Sequence, residues 1–140
     1  MALQNMVPML NVSNIESSLE FYRDALDFRV VSDSAAVRQW HWATIRSGHS
    51  ELMLSQTESP PQQGEPIDPH RNTAWPCIFY FYADDVERLY AQVIARGCRP
   101  TPIVDTRYGM REFSLQDPDG HLLSFGQDAR RADAAKADDG

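Results

Sequence analysis

The sequence predicts an α+β fold made of two β-α-β-β-β modules. The chain has 140 residues, a length that suits one domain. Each half contains one segment whose apolar residues recur at helical spacing, together with several short strand-like runs. The order of these elements repeats when the second half is shifted by 71 residues. We therefore expect a single domain over residues 1–127, with modules at about 6–55 and 76–127 that must cover each other's sheets or pair with a second chain.

The first module begins with an apolar run at 7–12 and continues into a helix. Ser13 and Glu16 have the spacing of a capping box, in which the hydroxyl and the carboxylate satisfy backbone amides at the start of the helix. The residues that then line one helical face are Ile15, Leu19, Tyr22 and Leu26. Strands are predicted at 28–31, 37–45 and 51–54, because turn residues separate these runs.

The second module repeats this order. A strand is predicted at 77–82, followed by a helix that Asp84 caps at its start, with Glu87 three positions on, and that Gly97 closes at its end. Further strands are predicted at 102–106, 111–116 and 121–125. The last two flank Asp117-Pro118-Asp119-Gly120, which is typical of a type I turn, so we expect them to form a hairpin.

Two segments are predicted to lie outside the packed modules. Residues 57–74 are interpreted as a Pro-rich linker, because they contain four prolines and almost no apolar residue that would pack against a core. Residues 128–140 consist of alanine and charged residues almost alone, and we expect them to be a flexible tail.

The composition restricts the partners of the protein. Thirteen Lys and Arg against twenty Asp and Glu give a net charge of −7, which disfavours nucleic acid and favours cationic ligands. The sequence has no apolar run of about 18 residues and no signal-peptide pattern, so we expect a cytoplasmic protein that does not contact a membrane. Lys136 is the only lysine, which argues against Schiff-base chemistry. Cys77 and Cys98 are expected to be reduced.

The most specific motif is the stretch YGMREFSLQDPDGH at residues 108–121. It resembles the closing hairpin of the vicinal oxygen chelate superfamily, which includes glyoxalase I, extradiol dioxygenases and bleomycin resistance proteins. Residues 14–28 and 84–97 look like the first and second helices of that family. The resemblance implies that the two modules form a curved mixed sheet around a cavity, usually in a homodimer.

The resemblance also implies where a divalent metal would be held, with one His or Glu from each of four strands. Carried onto this sequence, those positions are Val7, Met53, Ile78 and Ser124. None of them is a strong ligand for a metal that prefers oxygen and imidazole donors. No local ligand spacing relates the histidines, which are His41, His49, His70 and His121. We therefore expect no metal and no other cofactor, as in the bleomycin-resistance branch of the family.

Five residues form the candidate ligand-binding set, and no catalytic residue is assigned. Trp40 and Trp42 lie two apart in a predicted strand, so they would form an aromatic wall for a flat or cationic ligand. The alternative is that both fill the core. Tyr108, Arg111 and Glu112 lie at the mouth of the last hairpin. There Arg111 would clamp a carboxylate and Glu112 a cation, the alternative being a solvated edge or an internal arginine–carboxylate pair.

The function predicted from these features is metal-free binding of a small molecule in a homodimer. A cationic antibiotic is a ligand class that would suit the acidic chain, by similarity to bleomycin resistance proteins. One alternative is a metal-dependent lyase, isomerase or dioxygenase with unusual ligands, such as Glu51 with His41 or His121. A third hypothesis is a metal-free enzyme that uses Glu112 as general base.

Overall fold

A computed structural model describes residues 1–58 and 77–139 of the chain. Within these ranges the chain forms eight strands and four helices. None of the helices in this described part has the length and apolar composition needed to cross a lipid bilayer. The Pro-rich linker predicted at 57–74 lies, beyond its first two residues, outside the described residues.

The chain divides into two compact units, each with one four-stranded mixed sheet. The first unit is Met1–Gln63 with Pro118–Gly120, and the second is Gly64–Asp117 with His121–Gly140. The α+β class and the two modules are thereby confirmed.

The first unit places its helix against a sheet with one parallel pair. Its elements are β1 (Met9–Val12), α1 (Ile15–Leu26), β2 (Arg29–Val30), α2 (Ser34–Trp40), β3 (Trp42–Ser47) and β4 (Ser50–Gln56). The sheet order is β1-β4-β3-β2, and only β1 and β4 are parallel. Tyr22 of α1 is fully buried and meets Phe28 edge to face, with ring centroids 5.5 Å apart. The predicted apolar face of α1 therefore supplies the core of this unit.

The second unit has the same arrangement. Its elements are β5 (Phe79–Tyr82), α3 (Val86–Ala95), β6 (Val104–Asp105), β7 (Met110–Gln116), β8 (Leu122–Asp128) and α4 (Ala129–Asp139). The sheet order is β5-β8-β7-β6 with β5 parallel to β8. The predicted hairpin is confirmed, because β7 and β8 pair antiparallel across the turn. Phe113 stacks on Phe125 at 5.1 Å and meets Tyr90 of α3 at 5.3 Å, so this face of the sheet is the core.

The two modules begin their helices in the same way. Asn14 is the N-cap of α1, where its side chain accepts a hydrogen bond from the Ser17 amide at 2.9 Å. Asp85 is the N-cap of α3 and accepts from the Arg88 amide at 3.0 Å. The caps predicted at Ser13 and Asp84 are both wrong by one residue, because each helix begins one residue later and Asn14 and Asp85 take those positions.

A second hydrogen bond is repeated at the same offset. The Ile15 amide donates to the Gln56 side-chain oxygen at 2.9 Å, and the Val86 amide donates to the Gln127 side-chain oxygen at 3.0 Å. In each module a glutamine from the last strand thus satisfies a backbone donor that the first helical turn leaves open. The internal repeat predicted from element order extends to individual contacts.

The strand predicted at 37–45 is confirmed at 42–45, which lie in β3, and is wrong at 37–40, which lie in α2. The Asp33 side chain accepts from the Ala35 amide and starts α2, which ends at Trp40. His41 then adopts a left-handed conformation with φ of 51°, and β3 begins at Trp42. A local cap and two alanines outweigh the β propensity of the single valine in this segment. Trp40 and Trp42 therefore lie on different elements and do not form a shared strand face.

The flexible tail predicted at 128–140 differs from the structure, in which α4 occupies Ala129–Asp139. Ala132 of this helix is 6% exposed. Asp133 accepts a hydrogen bond from Arg111 of β7 at 3.1 Å, and Lys136 pairs with Glu87 of α3 at 2.7 Å. The sequence offered little apolar surface here, but ion pairs to β7 and α3 hold the helix.

The left-handed residue between α2 and β3 provides a test of this boundary. His41→Val should lower the free energy of unfolding by about 1–2 kcal/mol, because a β-branched residue is disfavoured at positive φ. His41→Gly should change the free energy of unfolding by less than about 0.5 kcal/mol, since glycine adopts this conformation freely. Urea denaturation of both variants measures the difference. A valine variant more stable than the glycine variant would instead support the strand.

Candidate functional site

The two faces of the second sheet differ in character. Phe113 and Phe125 point to the core face, so strand alternation places their neighbours on the opposite face. That opposite face, here called the polar face, carries Tyr80, Tyr82, Glu112, Ser114 and Ser124. Its polar side chains are brought together by the strand order β5-β8-β7, in which β8 lies between the other two.

Glu112 is the centre of the polar face. It is only 4% exposed, and both oxygens accept hydrogen bonds from phenols. Tyr80 donates to Oε2 at 2.7 Å, and Tyr108 donates to Oε1 at 2.8 Å. Tyr80 comes from β5 and Tyr108 from the turn before β7, so two separate segments hold one carboxylate. Hydrogen bonds of this kind are strong because the acceptor carries charge.

The surroundings keep both phenols in their donor form. Burial raises the pKa of Tyr80 well above its usual value, and donation to Glu112 and the charge of that carboxylate raise the pKa further. The pKa of Tyr108 is also raised, first by burial and then by its hydrogen bond to Glu112. Both phenols therefore keep their protons and remain hydrogen-bond donors to Glu112 at any physiological pH.

The rings around Glu112 leave aromatic surface accessible. Tyr80 is 39% exposed and Tyr108 is 63% exposed, although each is fixed through its hydroxyl. Tyr82 meets Tyr80 edge to face at 5.4 Å and is 83% exposed. The arrangement joins a buried carboxylate to three exposed phenol rings, which is the chemistry that attracts an organic cation.

Arg111 does not share this site with Glu112, although the two are adjacent in the sequence. Its guanidinium donates to Asp105 at 2.8 and 3.1 Å and to Asp133 of α4 at 3.1 Å. The pKa of Arg111 is raised, chiefly by its hydrogen bond to Asp105, and the pKa of Asp105 is lowered by the same contact. The predicted carboxylate clamp is wrong, because Arg111 forms the internal pair that was its alternative.

The predicted tryptophan wall is not formed either. Trp40 ends α2 and is 68% exposed, whereas Trp42 begins β3 and is partly buried. Of the five predicted ligand-binding residues, only Tyr108 and Glu112 are brought together by the structure.

Comparison with known proteins places the chain in a family. A sequence model described as the Glyoxalase/Bleomycin resistance protein/Dioxygenase superfamily matches residues 6–125. The chain belongs to this superfamily. No curated protein matches the sequence.

Solved structures agree with this membership. TioX from Micromonospora sp. ML1 is 19% identical, with a TM-score of 0.70, covering 89% of this chain and 98% of that one. Lactoylglutathione lyase from Agrobacterium tumefaciens is 18% identical, with a TM-score of 0.64 and coverages of 91% and 95%. Virulence protein STM3117 from Salmonella typhimurium is 21% identical, with a TM-score of 0.63 and coverages of 91% and 98%. At these identities the likeness shows the superfamily fold alone.

The positions at which the superfamily resemblance implies a metal do not fit one in this chain. Val7 and Ile78 carry no donor atom, and Met53 offers only a soft thioether. The Ser124 hydroxyl lies 2.8 Å from that of Ser114 and shares a hydrogen bond with it. Within residues 1–58 and 77–139, no three His, Cys, Asp or Glu side chains gather as a ligand set.

The unusual metal ligands considered for a superfamily enzyme have other contacts. Glu51 accepts from Arg46 at 2.9 Å, and His121 Nδ1 lies 2.9 Å from Asp117 Oδ2. His41 forms the left-handed link after α2. His70 lies outside the described residues.

Sequence reasoning missed Tyr80, which holds one side of Glu112. The signal was present in the alternation of β5, since Tyr80 and Tyr82 share a face and are separated by Phe81. Its pairing with a residue 32 positions away becomes visible only when the strand order is known.

The raised pKa of Tyr80 predicts how stability responds to alkaline pH. Below about pH 10 folded and unfolded chains both keep this proton, but above it the unfolded chain loses the proton more readily. The free energy of unfolding should therefore fall as the pH rises above about 10. In Tyr80→Phe this fall should be shallower in urea denaturation between pH 8 and 11. Tyr82→Phe, at the exposed end of the same strand, is the control and should keep the slope of the original protein.

Proposed function

We propose that this superfamily member is a metal-free binding protein for a small organic cation, similar to the bleomycin-resistance branch. The observation that carries the proposal is Glu112, a buried carboxylate held by the phenols of Tyr80 and Tyr108. A carboxylate in such partly desolvated surroundings attracts a cationic group through its charge. The ligand would rest on the exposed rings and have its charge balanced by Glu112.

The charge of the chain supports a cation rather than an anion. The net charge is −7, and Arg111, the arginine next in sequence to Glu112, is occupied by Asp105 and Asp133. An anionic ligand on the polar face would meet the carboxylate of Glu112 at short range. Like charges in a partly buried site repel strongly, so such a ligand is disfavoured.

The donor chemistry of the chain favours binding over the metal-dependent alternative. Val7, Met53 and Ile78 stand where the resemblance implies ligands, and they would leave a divalent ion without oxygen or nitrogen donors. The proposal therefore assigns no step to a metal. No catalytic residue is assigned.

A pair of probes of the same shape and different charge tests the proposal. N-methylacridinium is a planar cation, and acridine at pH 8 is its neutral counterpart. The protein should bind the cation more tightly, and Glu112→Gln should lower that affinity roughly tenfold or more, because the charge that balances the ligand is removed. Fluorescence titration of both dyes measures the effect.

The controls separate a local effect of Glu112 from a general loss of charge. Glu51→Gln removes one negative charge from the first sheet, where Glu51 pairs with Arg46, and should leave both affinities within about twofold. Equal binding of the cation by Glu112→Gln and the unaltered protein would contradict the proposal. Stoichiometric Mn, Ni, Zn or Fe in the purified protein, with a thermal shift from that ion, would favour the enzyme alternative.

We also propose that the protein is a homodimer. Each four-stranded sheet ends in edge strands, which commonly pair or are covered by a second copy of the chain. Static light scattering should give twice the monomer mass of 15.9 kDa at micromolar concentration. A mass of one chain under these conditions would exclude the dimer.

A further inference from the structure

Gly126 occupies the middle of the second sheet beside Glu112. It lies on β8, opposite Glu112 of β7 on one side and Tyr82 of β5 on the other. It does not have the positive φ found at the turn glycines Gly109 and Gly120. The backbone conformation at this position is therefore one that any residue adopts. Because glycine weakens a strand interior, its presence calls for a reason in the space around it.

The space above Gly126 is filled by the phenol of Tyr80. A Cβ built on Gly126 would overlap the Tyr80 hydroxyl oxygen and would lie 2.7 Å from Cζ of the same ring. It would also lie 3.2 Å from Cε of Met110, which is the flexible end of a side chain. The obstacle to a side chain at position 126 is therefore the phenol whose hydroxyl donates to Glu112.

We propose that Gly126 is a positioning residue of the site, because its bare backbone lets the Tyr80 phenol lie across β8 and directs the hydroxyl to Glu112. Gly126 itself need not touch a ligand. Its effect passes through Tyr80, whereas Tyr108 reaches Glu112 from the turn before β7 and is independent of it. One methyl group at position 126 should thus remove one of the two phenols from the carboxylate and leave the other in place.

The protonation of Tyr80 reports on this contact directly. In protein labelled with carbon-13 at tyrosine Cζ, NMR follows each of the five tyrosines, and Tyr80→Phe identifies the Tyr80 signal. In the unaltered protein that signal should not titrate up to pH 11, in keeping with its raised pKa. In Gly126→Ala it should titrate at a lower pH than in the unaltered protein, because the displaced phenol loses burial as well as its hydrogen bond to Glu112. An unchanged Tyr80 titration in Gly126→Ala would overturn the proposal.

A second variant covers the case in which Gly126→Ala does not fold. The double variant Gly126→Ala/Tyr80→Ala removes the ring that the new methyl group would meet, so it should fold with the stability of Tyr80→Ala alone. If the double variant fails to fold while Tyr80→Ala folds, the methyl group disturbs something other than Tyr80 and the proposal is wrong.

The consequence for ligand affinity rests on the proposed function and is measured separately. Gly126→Ala should change the affinity for N-methylacridinium in the unaltered background and change it by less than twofold in the Tyr80→Ala background. A further outcome is that the Tyr80 signal of Gly126→Ala titrates as expected while neither Gly126→Ala nor Glu112→Gln affects dye binding. That result would refute the binding site and leave the positioning role of Gly126 intact. An effect of Gly126→Ala that persists without Tyr80 would refute the positioning role.

Discussion

The polar face depends on one buried carboxylate held by two phenols. Glu112 is removed from water by its place in the middle of β7, and such a group is costly unless hydrogen bonds compensate for its lost hydration. Tyr80 and Tyr108 supply that compensation from two different segments. Their rings stay accessible because only the hydroxyl ends are fixed. The same contacts that make the buried charge tolerable thus also place aromatic surface around it.

Internal repetition and local divergence are combined in this chain. The two modules share the N-caps Asn14 and Asp85 and the glutamines Gln56 and Gln127 at a constant offset, which shows that helix entry is built in the same way twice. The polar face of the second sheet, in contrast, depends on Glu112 and its two phenols. Repetition therefore accounts for the scaffold, while the candidate site is a feature of one module.

Membership of the superfamily gives the fold and limits the possible activities, but it does not decide which of them this protein has. Three of the four positions where the resemblance implies metal ligands carry apolar or thioether side chains, and Ser124 is engaged with Ser114. A carboxylate, Glu112, is present on the same sheet face as Ser124, two residues from Ser114 along β7, and it accepts hydrogen bonds from two phenols. The side chains at the implied metal positions do not suit a metal, whereas Glu112 is a carboxylate surrounded by phenol rings. For this reason the proposed function is recognition of a cation by Glu112 and the tyrosines.

The sequence by itself determined the features that depend on local physics. Apolar periodicity placed α1 and α3, turn chemistry placed the β7–β8 hairpin, and residue type alone showed that Val7 and Ile78 cannot ligate a metal. Local patterns did not decide whether 37–45 would be a strand, because a capped helix and a strand were both compatible with so short a segment. Nor did they show α4, whose Asp133 and Lys136 form ion pairs with residues distant in the sequence.

Only the tertiary structure decided which residues lie together in the candidate site. Adjacent residues of a strand face opposite ways, so Arg111 and Glu112 are separated by the sheet although they are neighbours in the chain. Tyr80 and Glu112, in contrast, are 32 residues apart and meet because β8 lies between their strands with a glycine at the point of contact. This contact depends on strand order and on the space between side chains, and no local stretch of sequence determines either of them.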